Sequence, residues 1–109
     1  MNFRNLRVGK LIRDQISQII LRELEFTGAL VTVTNVVVDE KLDHAKIQVS
    51  ILPPDAEPKT LKILHAAESK LQHLLNHKLN IRPMPRIQFE LDPGPANAAK
   101  VEKILLEDK

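Results

Sequence analysis

Two stretches of the chain carry basic side chains and no acidic one. Residues 1–13 contain four cations, residues 69–89 contain another four, and neither stretch has an Asp or a Glu. The eight side chains are Arg4, Arg7, Lys10, Arg13, Lys70, Lys78, Arg82 and Arg86. With 16 bases and 14 acids in total, the rest of the chain has 8 bases against 14 acids and is acidic. Such segregation indicates a polyanionic partner, because lysine and arginine release counterions when they meet phosphates. For each single side chain, the alternative of a solvated surface charge stays open.

A metal site is a second chemistry that the spacing allows. His73 and His77 are four residues apart, as two zinc ligands on one helix would be. The residue after His73 is Leu74, however, and a metalloprotease needs a glutamate there as general base. The chain has no cysteine, and a third ligand would have to come from His44, His65 or a distant carboxylate. The sequence therefore predicts no metal site.

Catalysis finds no support in the other polar residues. Glu23, Glu25 and the acids of residues 39–43 lack the apolar surroundings that raise a carboxyl pKa. No serine lies in a Gly-x-Ser-x-Gly context, and the three glycines are too dispersed for a phosphate-binding loop. Without cysteine, disulfides, thiolate catalysis and iron–sulfur clusters are excluded. We expect a protein that is not an enzyme and that uses no cofactor and no small-molecule substrate.

Length and composition favour one small domain over residues 1–109. The chain is 43% apolar and 28% charged, and no apolar run approaches the ~20 residues that cross a membrane. The first residues contain no apolar signal core, so we expect a cytoplasmic protein without a membrane partner. We also expect the protein to be a monomer. Three Phe with no Trp or Tyr disfavour recognition of nucleic acid by stacking bases on aromatic side chains.

The hydrophobic periodicity predicts a helix followed by a hairpin in the first half. Residues 5–24 carry an apolar stripe at helical spacing, and Gly28 suits the position just beyond the helix end. Leu30 to Val38 is rich in β-branched residues and has valine on both faces, so we expect a strand covered on each side. Residues 45–51 alternate strictly between apolar and polar, which predicts a second strand with Lys46, Gln48 and Ser50 on its wetter face.

The second half predicts a long helix, a strand and a terminal helix. From Glu57 the helical pattern runs to Leu79 with Pro58 in its first turn and no Gly or Pro after it, which predicts one continuous helix of about 22 residues. Two prolines in residues 82–85 forbid helix, residues 87–91 alternate as a strand, and residues 98–105 form a short amphipathic helix. A helical crossover between the second and third strands favours parallel pairing with a right-handed connection. The sequence therefore predicts an α+β fold, in which a three-stranded mixed sheet has its helices on one face.

Four stretches of the chain together carry a resemblance to a known family. The resemblance is carried by the opening helix from Arg7 to Ile20, the segment from Val31 to Val49, the helix that ends at Leu75 with the following Arg82-Pro83-Met84-Pro85 link, and the terminal helix from Val101. In their order and spacing, and over nearly the whole chain, these stretches resemble the ribosome-binding factor A family.

The resemblance implies a type II K-homology-like domain, with element order α-β-β-α-kink-α-β and a short C-terminal helix. It also implies a non-catalytic assembly factor, which binds the free 30S small ribosomal subunit through 16S rRNA and assists late maturation. The family's kink surrounds an Ala-x-Gly, and the matching residues here are Ala67, Glu68 and Ser69. Serine enters the left-handed region less readily than glycine, which leaves the sharpness of this kink open.

Two functional hypotheses follow from these patterns. In the first, the eight basic residues contact the phosphates and riboses of an RNA helix, whose narrow major groove side chains cannot enter. In the second, the chain is a protein–protein interaction module. That module would use an exposed strand edge or an apolar helical patch around Leu75, Leu79 and Met84, although core packing is the commoner fate of such residues.

Overall fold

A computed structural model describes residues 3–94. The helices and strands are α1 (Arg4–Glu23), β1 (Leu30–Val38), β2 (His44–Leu52), α2 (Glu57–Ala66), α3 (Glu68–Lys78) and β3 (Arg86–Leu91). A short 3-10 turn, Pro54–Ala56, leads into α2. This order confirms the predicted α+β class, and β1 and β2 lie within one residue of their predicted bounds. The expected helix over residues 98–105 lies outside the described residues. None of the described helices is long and apolar enough to cross a membrane.

The sheet has the strand order β1-β2-β3. β1 and β2 pair antiparallel, with Leu30 opposite Leu52, as a tight polar connection requires. β2 and β3 pair in parallel, with His44 beside Arg86 at the start of both strands. The mixed three-stranded sheet and the parallel pairing predicted from the helical crossover are thus confirmed.

The expectation that β1 is covered on both faces is wrong, and a β-bulge explains the valines. Val33 pairs with Val49, but the next pair joins Asn35 to Gln48, so Thr34 is an extra residue in β1. An extra residue reverses which side chains face the core, since strand side chains alternate between faces. Val37 consequently lies on the open face with 47% of its surface exposed. The four remaining valines contact the core: Val31, Val33, Val36 and Val38.

The core lies between one face of the sheet and the helices. α1 packs on β1 and α3, and α3 packs on α1 and β3. Fully buried side chains come from all of these layers: Ile12, Ile16, Ile19, Ile47, Val49, Leu64, Leu71 and Leu75. On the opposite face of the sheet, Lys46 is exposed and Gln48 and Ser50 are half-buried, which confirms the predicted wetter face.

The prediction of one continuous helix after Glu57 is wrong, because α2 ends at Ala66 and α3 begins at Glu68. At Ala67 the backbone has φ −90° and ψ −3°, and its N–H donates to the carbonyls of both Ile63 and Leu64. These angles are open to any L-residue, so the break needs no glycine. Ser69 lies inside α3, and within residues 3–94 only Gly28 and Leu42 have positive φ. The break implied by the resemblance is present and does not depend on a left-handed residue at position 69.

Candidate RNA-binding surface

The two acid-free stretches meet because α1 and α3 pack antiparallel. At the start of α1, Arg4 Nη2 donates a hydrogen bond to the backbone carbonyl of Arg82, at 3.0 Å. At the other end of the pair, Lys70 Nζ lies 3.6 Å from Glu23 Oε1. The start of α1 therefore adjoins the link that follows α3. We call the N-terminal half of α1, the last residue of α3 and the link of residues 79–85 the basic end.

The basic end gathers six of the eight predicted cations. They are Arg4, Arg7, Lys10, Arg13, Lys78 and Arg82, and all six are exposed. Among residues 3–94, five of them form no ion pair with a carboxylate: Arg7, Lys10, Arg13, Lys78 and Arg82. Their charge is consequently available to an anion from outside the protein.

The cations of α1 wind around the helix rather than forming one stripe. They recur every three residues, and with 3.6 residues per turn each is rotated by about 60° from the one before. Arg4 thus lies on the side of α3 and the link, whereas Lys10 and Arg13 line a groove between α1 and the end of β1. The arrangement can contact phosphates on both flanks of α1.

Two residues of α1 hold its first turns against β1. Asn5 Nδ2 donates to the carbonyl of Val38 at 3.2 Å. Gly9 is buried, and a Cβ at this position would lie only 3.2 Å from the carbonyl oxygen of Val36. Since a larger side chain would push α1 away from the strand, Gly9 is what lets the basic helix lie directly on the edge of the sheet.

Lys70 and Arg86 lie outside the basic end, although Arg86 lines a groove together with Met84 of the link. Lys70 is at the start of α3, beside Glu23, with 61% of its side chain exposed. Arg86 is the first residue of β3 and pairs with His44, on the open face of the sheet. The structure therefore does not bring all eight cations into one patch, and contact of these two with RNA stays a prediction.

Lys46 is a basic residue that the sequence interpretation did not include among the candidates. It is exposed and lies two residues along β2 from His44, on the same face as Arg86. Only the register of β2 and β3 places Lys46 and Arg86 near each other, and no local pattern in the sequence contains that register.

Acidic residues of the β1–β2 connection lie near the basic end. Asp39 Oδ1 accepts hydrogen bonds from the backbone N–H groups of Asp43, at 2.7 Å, and His44, at 3.3 Å. Partial desolvation by itself would raise the pKa of Asp39, but these two bonds and the His44 ring together outweigh it, and the pKa lies below its ordinary value. Asp39 therefore stays ionised and its charge is engaged within the loop.

The histidines of α3 show no metal-binding arrangement. The rings of His73 and His77 meet edge to face with centroids 4.5 Å apart. Within the part of the chain that the structure describes, no three potential ligands among His, Cys, Asp and Glu come together. Both histidines are exposed beside the cations of α3.

The fold and its element order define a type II K-homology-like domain, with the helical break at Ala67 between the second and third helices. The family model described as ribosome-binding factor A matches residues 4–105, and the chain belongs to this family.

Known proteins of this family resemble the chain along most of its length. The ribosome-binding factor A of Caldanaerobacter subterraneus subsp. tengcongensis is 32% identical over 110 residues, which cover 98% of this chain and 90% of that protein. The crystal structure of ribosome-binding factor A from Thermus thermophilus has a TM-score of 0.68 at 20% identity, covering 80% of this chain and 94% of that one. A homology model of the Thermus thermophilus factor, fitted into a cryo-electron microscopy map of its complex with the 30S subunit, has a TM-score of 0.66 at 20% identity and covers 78% of this chain and 91% of that one.

Proposed function

We propose that this chain is a non-catalytic, monomeric assembly factor of the cytoplasm, which binds the free 30S small ribosomal subunit through 16S rRNA and assists late maturation. Membership of the ribosome-binding factor A family supports the partner, as does the fitted 30S complex of the Thermus thermophilus relative. The observation that carries the proposal for this chain is the basic end, where five of the six cations form no ion pair within residues 3–94.

Phosphate contact by exposed cations suits double-stranded RNA. An RNA helix is recognised mostly through its phosphates and ribose hydroxyls, whereas many single-stranded readers stack bases on aromatic side chains, of which this chain has three Phe and no Trp or Tyr. Cations on both flanks of α1 could reach the two backbones of one helix. The basic end is therefore expected to bind by charge and shape, with little dependence on base identity.

Cosedimentation with separated 30S subunits, 50S subunits and 70S ribosomes tests the proposal. We expect binding to 30S subunits at low salt and release at high salt. Six phosphate contacts predict a slope of log K against log salt of about −4 to −5, and all eight cations would give about −6 to −7. A slope near zero, or equal binding to all three particles, would contradict the proposal.

Charge reversal at Arg82 in the link and at Arg86 in β3 tests whether these two cations contact RNA. Arg82→Glu with Arg86→Glu should weaken 30S binding without lowering the melting temperature, because both side chains are exposed. The contact of Arg4 with residue 82 uses the backbone carbonyl and survives the substitution. A double variant that fails to fold would instead assign the two arginines a structural role.

The alternative of a protein–protein module loses its apolar helical patch. Leu75 is completely buried, and Leu79 and Met84 pack against the core as half-buried residues. Salt-insensitive association with a ribosomal protein, in the absence of rRNA, would favour this alternative over RNA binding.

A further inference from the structure

The outer edge of β3 is occupied by side chains of α3. The backbone N–H of Ile87 donates to Gln72 Oε1, and the N–H of Phe89 donates to Glu68 Oε2, both at 2.8 Å. Gln72 Nε2 in turn donates to the carbonyl of Pro85, at 3.2 Å. These N–H groups point away from β2, where a further strand would otherwise pair with them.

The spacing of the two side chains matches the repeat of the strand. Residues 68 and 72 are one helical turn apart, about 6 Å along the axis. Alternate residues of a strand, such as Ile87 and Phe89, are about 6.6 Å apart. Gln72 also presents an acceptor and a donor side by side, as the backbone of a paired strand does. The two side chains therefore reproduce the hydrogen bonding of a short neighbouring strand.

The two N–H groups that Glu68 and Gln72 accept from belong to buried residues. Ile87 and Phe89 are each only 2% exposed, and buried N–H groups without an acceptor are strongly unfavourable. Glu68 and Gln72 are half-buried, so water competes poorly for their oxygens. Glu68 is the first residue of α3, directly after the break at Ala67, and its Oε2 also lies 3.0 Å from His65 Nδ1.

We propose that Glu68 and Gln72 take the place of a fourth strand and close the edge of β3 to pairing with a second copy of this chain. An open strand edge is a template for such pairing, and β3 has neither a proline nor a bulge in its register with β2 that would prevent it. This role is independent of RNA binding.

The test uses the full chain with Glu68→Ala and Gln72→Ala combined. By NMR-detected hydrogen exchange, we expect the amides of Ile87 and Phe89 to exchange about tenfold faster each, the worth of one hydrogen bond, while amides of α1 keep their protection. In sedimentation velocity, the variant should form dimers whose fraction rises with concentration, whereas the parent chain remains monomeric. Unchanged exchange at both amides, or fast exchange without any dimer, would overturn the proposal.

Conservative variants separate closure of the edge from general destabilisation. Glu68→Gln keeps an acceptor for Phe89 and should retain slow exchange and the monomeric state. Ser69→Ala alters an exposed neighbour on α3 that has no hydrogen bond to β3 among the described residues, and it should change neither measurement. If the double alanine variant does not fold, Glu68→Ala against Glu68→Gln decides: equal exchange at Phe89 in these two proteins would refute the role of Glu68.

Discussion

The two ends of the helix pair differ in how their charges are used. At the end where α1 stops and α3 starts, Arg22 and Lys70 both approach the carboxylate of Glu23, at 3.5 and 3.6 Å. At the basic end, Arg7 and Lys10 have no such partner within residues 3–94. Charges that are paired inside the protein produce little external field, so we expect the basic end to attract a polyanion more strongly than the opposite end of the helix pair does. The same residue types thus have different uses, according to which carboxylates the fold places beside them.

The largest expected effect comes from reversing unpaired charges at the basic end. Arg7→Glu with Lys10→Glu should weaken binding to 30S subunits by roughly 25-fold to 100-fold at about 0.1 M salt, since each lost phosphate contact is worth about fivefold to tenfold. Cosedimentation titrations measure this change. The matched control is Lys59→Glu with Lys62→Glu, on exposed positions of α2, with an expected loss below about threefold. Equal losses in the two variants would mean that only the total charge matters.

A second prediction concerns the contact that holds the basic end on the sheet. Gly9→Val should lower the free energy of unfolding by about 1–3 kcal/mol, because the new side chain meets the carbonyl of Val36. Urea unfolding measures this loss. Gln18→Val, at an exposed position of the same helix, should cost no more than about 0.5 kcal/mol. A Gly9→Val protein as stable as the parent would show that α1 can move away from β1 without lowering the free energy of unfolding.

A smaller effect separates the paired lysine from an unpaired arginine. Lys70→Gln should change 30S binding by less than about twofold, because Lys70 lies beside Glu23, whereas Arg7→Gln should weaken it by about fivefold. Both variants remove one charge, so the comparison isolates the position of that charge. If Lys70→Gln weakens binding as much as Arg7→Gln does, the contrast between the two ends is wrong.

The smallest effect is the acid sensitivity of the β1–β2 connection. The pKa of Asp39 is lower in the folded protein than in the unfolded chain. Ionised Asp39 therefore stabilises the fold at pH values above the pKa that it has in the unfolded chain. This contribution is lost as the pH falls below about 4, toward the folded pKa. Hydrogen exchange at the amide of Asp43, compared between the parent and Asp39→Asn, measures it. The parent should lose protection on acidification, and Asp39→Asn should show no comparable step.

Most of the fold could be predicted from local patterns. β1 has the predicted bounds, Leu30 to Val38, because β-branched residues between polar connections specify a strand without outside help. The parallel pairing of β2 and β3 followed from the length of the helical connection alone. Where one local pattern dominates, the sequence is a sufficient guide to the element.

The break at Ala67 escaped the periodicity because the apolar stripe continues through it. Leu64 and Leu71, on either side of the break, are both completely buried, seven residues apart. Such a stripe looks the same for one helix as for two helices with a shallow turn between them. The side chains that hold α3 on β3, Glu68 and Gln72, have the composition of an ordinary solvated helix surface, and only the position of β3 reveals their partners.

A basic candidate surface could be predicted from the sequence, but which cations belong to it could not. The acid-free stretches identified the cations, and α1 and α3 bring six of them together. Arg82 and Arg86 are only four residues apart, yet Arg82 lies in the link beside α1 and Arg86 starts β3 beside His44. Linear charge patterns contain no information on such a change of direction.

The bulge at Thr34 divides β1 into a first part whose odd-numbered residues face the core and a second part whose even-numbered residues do. Deleting Thr34 would leave Val33, Asn35 and Val36 in regular alternation, so Val36 and Val38 would still face the core. Deleting Val37, beyond the bulge, would instead turn Val38 to the open face. We therefore expect Thr34 to be the position in β1 where one residue can be lost without moving any later side chain to the other face.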